Sequence, residues 1–242
     1  MADFYQQILT NVGYIPGRTL VQARGSIGGH RHVFVKLQMS GKDALVYPTT
    51  GCIIKNPFKG YSRAFAGTLF EYHPDGTGYI LKSYQVAKAS SSTTIYLKRD
   101  GYSLIPFVGD NLMVAPTDLT GTGTAVTVSA VEKAVDETAG DVWKVTLSGS
   151  LGSLTTESVL VEAEGVGSDK KAMVTSPNSY LPCDFDFVFD PSASQDDFDG
   201  ARYLIAPALA LGDVFLYEDR MQPLSAALKA LNQSKVQGWF NI

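Results

Sequence analysis

The sequence predicts a mainly β protein: a small antiparallel β-barrel or sandwich with an extended N-terminal arm and a short C-terminal helix. Apolar and polar residues alternate with a period of two along several short segments between residues 33 and 162. Clusters of glycine, proline, aspartate and serine separate these segments, as tight turns require. Only 18% of the 242 residues are charged, below the roughly 25% usual in soluble domains, and this balance favours strands and turns over long solvated helices.

The first part of the chain is predicted to be a β-rich arm followed by a hairpin. Residues 2–11 could form a short helix with Asp3 as its N-cap, and glycines and prolines recur from 13 to 57. Within this arm a strand is predicted where Val33, Val35, Leu37 and Met39 alternate with His32, Phe34, Lys36 and Gln38. Segments 67–72 and 79–86 are predicted to be two strands around the turn 74–78.

The barrel is predicted from four strands between residues 112 and 162. Short apolar or alternating segments occur at 112–115, 125–130, 142–148 and 159–162, with Gly-rich turns between them. Val159 and Val161 alternate with Leu160 and Glu162, and Trp143 lies among valines at a position typical of a core. Strands with one apolar face each are expected to close into a barrel or sandwich that protects their edges.

The last part is predicted to hold two strands and the helix. The strands fall at 201–206 and 214–218, and the helix has Pro223 in its first turn with Leu224, Leu228 and Leu231 on one stripe. The sequence therefore predicts that the chain divides into three segments. They are an N-terminal arm and hairpin (1–92), a barrel-like module (93–175), and a C-terminal segment (176–242) that packs back on the first.

Charge and composition argue against several classes of protein. The net charge is −4 and no basic run exceeds Lys170–Lys171, so nucleic-acid binding is not expected. Apolar stretches such as 204–211 are far shorter than the roughly 20 residues that span a bilayer. The first residues do not resemble a signal peptide, so we expect synthesis in a reducing cytosol, with Cys52 and Cys183 as free thiols.

Two residue patterns and the aromatic residues are candidates for sites of chemistry. His30 and His32 share one face of a strand and could hold a metal ion if a third ligand joined them. Asp184 and Asp186 could serve glycoside hydrolysis or, with the following acidic loop, calcium binding. The acidic loop contains Asp196, Asp197 and Asp199. We expect neither a metal site nor a calcium site, and we expect no catalytic residue and no cofactor. The 26 aromatic residues leave sugar stacking open as an alternative, although most occupy positions typical of a core.

Five segments resemble virion proteins of phages that infect Bacteroides-type gut bacteria, described as head-fibre or head-decoration proteins. They are 67–72 (GTLFEY), 75–82 (DGTGYILK), 105–114 (IPFVGDNLMV), 146–152 (TLSGSLG) and 234–242 (SKVQGWFNI). The resemblance implies a symmetric oligomer, often a trimer, seated on the major capsid protein of the phage head and assembled in the bacterial host cytoplasm. Without repeats or heptads, a compact knob or fibre base fits better than a shaft.

The predicted function is therefore that of a non-enzymatic virion structural protein that binds the major capsid protein and its own copies. Apolar termini are expected to become buried on assembly, and the candidate interface residues are Phe4, Tyr5, Trp239, Phe240 and Ile242. Two alternatives remain open: a carbohydrate-binding module for host surface glycans, and a glycoside hydrolase that uses Asp184 and Asp186.

Overall fold

The fold is mainly β and is built around a closed six-stranded antiparallel barrel, as the sequence predicts. This computed structural model describes residues 33–35, 52–60, 62–65, 67–118, 120–180, 185–187, 204–205, 214–216, 221–235 and 238–240. The predicted helix at 2–11 and the residues Phe4, Tyr5 and Ile242 lie outside the described residues.

The barrel runs in the order β6–β7–β10–β9–β8–β11 and closes when β11 pairs with β6. One long strand, β9, makes closure possible because it pairs with two neighbouring strands. Its first part pairs with β8, Val126 opposite Leu112, and its second part pairs with β10, Lys133 opposite Trp143. The barrel strands are β6 (Ser83–Lys88), β7 (Thr94–Lys98), β8 (Asn111–Val114), β9 (Gly123–Asp136), β10 (Gly140–Leu147) and β11 (Val159–Glu162).

Apolar side chains fill the barrel interior. β-Branched and aromatic residues dominate these strands, and alternate positions point inward because successive side chains of a strand lie on opposite faces. Trp143 belongs to this core, as the sequence predicts. The buried inward residues include Val86, Ile95, Leu97, Leu112, Val126, Val128, Trp143, Val145, Leu147 and Leu160.

A second, smaller apolar cluster lies outside the barrel wall. Met113, Val159 and Val161 point outward from β8 and β11 and are covered by the segment that contains Ala163 and Ala172. That segment includes β12 (Gly167–Lys170), which pairs with the start of β9. Since β11 is buried on both faces, its alternation does not separate an apolar face from a polar one.

Strands from the two ends of the chain share sheets beside the barrel. A five-stranded sheet has the order β13–β4–β5–β2–β15, and β14 pairs with β3. A three-stranded sheet has the order β1–β16–β17, in which β16 and β17 are parallel. Their bounds are β1 (Val33–Val35), β2 (Cys52–Ile54), β3 (Ser62–Ala64), β4 (Leu69–Tyr72), β5 (Thr77–Ile80), β13 (Ser179–Tyr180), β14 (Phe185–Phe187), β15 (Leu204–Ile205), β16 (Val214–Leu216) and β17 (Gly238–Phe240).

The predicted strand at 79–86 is wrong as a single element. The hairpin of β4 and β5 forms, but β5 ends at Ile80 and the chain then crosses into the barrel, where β6 begins at Ser83. Leu81 and Lys82 make this crossing, with the Leu81 N–H still bonded to the Leu69 carbonyl. The barrel thus includes a strand that precedes residue 93, the first residue of the predicted module.

The single helix among the described residues, α1 (Ala226–Lys235), begins later than predicted. Ser225 is its N-cap: the side-chain oxygen accepts from the Leu228 N–H at 3.3 Å and the carbonyl accepts from the Lys229 N–H at 3.0 Å. Pro223 therefore precedes the helix instead of lying in its first turn. Its carbonyl accepts a hydrogen bond from Ser83 Oγ at 2.5 Å, which ties this segment to the barrel.

Leu160 tests whether the barrel core determines stability. Leu160 is 0% exposed at the centre of β11, so we expect Leu160→Ala to lower the free energy of unfolding by about 2–5 kcal/mol. The matched control is Val135→Ala, because Val135 is 78% exposed near the end of β9 and its truncation should change stability by less than about 0.5 kcal/mol. Urea unfolding measures both, and equal losses would contradict the described core.

Candidate functional site

A buried polar cluster joins the barrel to the five-stranded sheet. It consists of Asn56, Lys82 and Glu162, which are 4%, 1% and 8% exposed. Lys82 Nζ donates to Glu162 Oε1 at 3.0 Å, and Asn56 Nδ2 donates to Glu162 Oε2 at 2.6 Å. Both oxygens of one carboxylate are therefore occupied by nitrogens from two other parts of the chain.

Local structure holds each member of this cluster in place. Glu162 is the last residue of β11, and its N–H donates to the carbonyl of Lys82 at 3.1 Å. Lys82 stands at the crossing between β5 and β6. Asn56 follows β2, and its side-chain amide bonds both backbone groups of Ile80: Oδ1 accepts from the N–H at 2.7 Å and Nδ2 donates to the carbonyl at 2.8 Å. These bonds fix the orientation of the Asn56 amide.

Apolar and aromatic groups surround the lysine end of the cluster. Lys82 Nζ lies 5.2 Å from the centre of the Phe58 ring, and it also donates to the Pro57 carbonyl at 3.1 Å. Phe58 in turn contacts Phe107, with ring centres 6.2 Å apart. Water cannot solvate the charges well here, so each charge depends on its partner for stabilisation.

Burial changes the titration of the groups around Glu162. It raises the pKa of the Glu162 carboxyl above its ordinary value, an effect that the Lys82 charge opposes. Burial also raises the pKa of Tyr84 well above its ordinary value, and the negative charges of Asp110 and Glu162 add to this rise. Asp110 itself is buried and lies 3.7 Å from Lys59 Nζ, which gives the region a second carboxylate–lysine pair.

An open groove of about 820 Å³ lies on the outside of the barrel, between its wall and the start of α1. Val114, Ala115 and Val159 contribute its apolar floor from the barrel, and Met221 and Leu224 contribute from the segment before α1. Its rim is polar and carries charges of both signs, from Lys98, Asp100, Glu157 and Lys229. Among its lining residues the only aromatic one is Tyr84, which is 3% exposed.

The β9–β10 hairpin ends in a turn that Asp136 organises. Its Oδ1 accepts from the N–H groups of Thr138 and Ala139 at 2.9 and 3.0 Å, and its Oδ2 accepts from Lys88 Nζ at 2.8 Å. Gly140 ends the turn at φ +72°, a conformation that residues with a Cβ rarely adopt. The Lys88 hydrogen bond, followed by the two backbone bonds, lowers the pKa of Asp136 to about 2.

None of the three cluster residues was among the candidate site residues that the sequence singled out. His30, His32, Asp184 and Cys183 lie outside the described residues. Asp186 falls within β14, opposite Arg63 of β3, and Cys52 falls within β2, opposite Ile205. Trp239 and Phe240 belong to β17, in register with Phe215 and Leu216 of β16, so their backbone docks on the chain's own fold.

Neither of two broader classes of site is found in the described part of the chain. There, no three His, Cys, Asp or Glu side chains come close enough together to hold a metal ion. No helix in those residues has the length and apolar character needed to cross a membrane.

Sequence reasoning missed the buried polar cluster for a reason that the fold makes clear. Lys82 and Glu162 each stand as one charge at the end of an apolar stretch, and such a charge ordinarily marks the solvent end of a strand. The two are 80 residues apart, and only the pairing of β11 with β6 brings them together. A lone lysine and a lone carboxylate in two apolar strands are a weak signal of a buried pair.

The buried pair can be tested with three variants. We expect Lys82→Met and Glu162→Leu each to be less stable than the double variant K82M/E162L, by about 3 kcal/mol, because each single change leaves one buried charge without its partner. Urea unfolding of the three variants makes the comparison. Losses of the two single variants that add in full in the double variant would show that the two charges are not coupled.

The turn of the β9–β10 hairpin is expected to lose stability in acid, when Asp136 becomes protonated. The folded pKa of Asp136 lies below the ordinary 3.8, so its carboxylate stabilises the turn above that pH and the stabilisation is lost as pH falls toward 2. We expect its carboxyl NMR signal to titrate near 2, and to shift toward 3.8 in Lys88→Met. Lys144→Met is the control, because Lys144 pairs with Glu132 at 3.4 Å on the same hairpin and should leave Asp136 unchanged.

No protein-family model matches the chain, and no curated protein or solved structure matches it significantly.

Proposed function

We propose that the protein is a structural component of a bacteriophage head, which binds the major capsid protein and further copies of itself. The observation that carries the proposal is that solvent does not reach the buried polar cluster. Lys82 and Glu162 are the kind of groups that perform proton transfer, but their low exposure keeps them from an external substrate. Their placement suits a brace between two sheets.

The barrel supports the same role. Its interior is filled with apolar side chains, so the described barrel offers its outer surface for binding. The buried polar cluster and the shared sheets hold the barrel against strands from both ends of the chain. A rigid body with an outward binding surface is what a capsid-bound knob requires, because several weak contacts of a symmetric oligomer then act together.

The two alternatives receive less support from the described geometry. Sugar stacking needs exposed aromatic faces, whereas the one aromatic residue that lines the groove, Tyr84, is buried and its hydroxyl lies 3.4 Å from the Ile105 carbonyl. A hydrolase built on Asp184 and Asp186 needs two carboxylates facing one cleft. Asp186 lies in β14, with its backbone in register with Arg63 of β3, and Asp184 lies outside the described residues, so nothing in the described structure supports such a cleft.

The test uses the full chain and empty shells assembled from the major capsid protein of a Bacteroides phage. Light scattering should give a mass that is a multiple of the chain mass, with three as the expected number, and co-sedimentation should show saturable binding to the shells. Shells of an unrelated phage are the control. A strict monomer that ignores the shells, or selective binding on a glycan array, would overturn the proposal.

The candidate interface at the C-terminus can be tested in the same assay. We expect Trp239→Ala/Phe240→Ala to weaken shell binding by at least about tenfold, because buried aromatic residues commonly dominate interface affinity. Val135→Ala, at an exposed position near the hairpin turn, is the matched control and should bind as the parent does. An unchanged affinity in a folded double variant would remove these two residues from the interface.

A further inference from the structure

The buried polar cluster has the arrangement of a reaction centre that acts on the chain itself. Glu162 presents one carboxylate oxygen to each of two nitrogens: Oε1 lies 3.0 Å from Lys82 Nζ, and Oε2 lies 2.6 Å from Asn56 Nδ2. One nitrogen is a potential nucleophile and the other is a potential leaving group. A carboxylate between them can take a proton from the first and give one to the second.

The Asn56 amide is also prepared for attack. Its Oδ1 accepts a hydrogen bond from the backbone N–H of Ile80 at 2.7 Å, and this donor would stabilise negative charge that develops on the oxygen. Because Nδ2 donates to the Ile80 carbonyl as well, the amide cannot turn over. Lys82 Nζ lies 3.1 Å from the carbonyl of Pro57, the residue next to Asn56, so the amine is held at the same stretch of backbone.

The hydrogen bond from Lys82 Nζ to Glu162 Oε1 gives a direct path for proton transfer between the two partners. Lys82 is 1% exposed and its amine lies against the Phe58 ring, so transfer of its proton to Glu162 relieves two buried charges at once. The raised pKa of Glu162 agrees with this transfer, since burial makes its protonated form more favourable. The result is a neutral amine, which is the nucleophilic form of lysine.

We propose that Lys82 and Asn56 form an intramolecular isopeptide bond, with Glu162 as the catalytic acid and base. Lys82 Nζ bonds to Asn56 Cγ, the bond from Cγ to Nδ2 breaks, and Nδ2 leaves as ammonia. Of the five protons that the lysine ammonium and the amide carry at the start, one stays on the new amide and four leave as ammonium. Glu162 ends as the carboxylate, and no oxidant or other reactant is needed.

The same contacts would also hold an ordinary buried ion pair with a hydrogen-bonded asparagine. The two states differ in mass, because the isopeptide bond removes one ammonia from the chain. They differ in connectivity too, since the bond closes a covalent ring from residue 56 to residue 82. Both differences survive complete unfolding, whereas an ion pair does not.

The experiment is intact-mass spectrometry of the full chain, purified folded and then denatured. We expect a mass below that of the sequence by one ammonia, and a proteolytic fragment in which the peptides of Asn56 and Lys82 are joined. Full sequence mass after prolonged incubation of the folded protein would overturn the proposal. A deficit that maps to another residue, or a loss of water that joins Lys82 to Glu162, would overturn it as well.

Variants separate the proposed roles. Glu162→Gln keeps the size of the side chain but cannot exchange protons, and Lys82→Arg keeps the charge but removes the nucleophile, so both should retain full mass. Asn56→Asp should lose water in place of ammonia, because the leaving group is then a hydroxyl. Since this variant keeps the lysine and the catalytic carboxylate, it tests the chemistry even if the other two fold poorly. A bond that still forms in folded Glu162→Gln would exclude Glu162 as the catalyst.

Discussion

The pairing of Lys82 with Glu162 is the constraint on which the described architecture depends. A buried polar group without a hydrogen-bond partner costs free energy, so the crossing between β5 and β6 must stay beside the end of β11. Asn56 extends the constraint to the segment after β2 through the same carboxylate. The two contacts of this one carboxylate thereby tie the five-stranded sheet to the barrel.

Much of the fold could be predicted from local patterns, and the exceptions share one physical cause. Alternation along 125–130 and 142–148 predicts two barrel strands correctly, because each of them has one face on the core. In β11 Leu160 points inward while Val159 and Val161 lie in the outer cluster, so a period-two pattern misses its second buried face. The true N-cap, Ser225, was missed because a nearby proline offered a similar start signal.

The buried polar cluster could not be predicted from local patterns, because its three residues are distant in sequence and come together only in the fold. Asn56 and Glu162 are 106 residues apart, and neither belongs to a recognisable motif. The same holds for Asp110, whose position near Tyr84 and Glu162 follows from barrel closure.

The shared sheets have a consequence for the order in which the chain folds during synthesis. All barrel strands lie between residues 83 and 162, so the barrel can close as soon as that stretch leaves the ribosome. Strands β2, β3 and β4 must wait for β15, β14 and β13, which are made much later. Until then these early strands have unpaired edges, and such long-range pairing is slow to form. The nascent chain therefore exposes the edges of β2, β3 and β4 to aggregation until β13, β14 and β15 have left the ribosome.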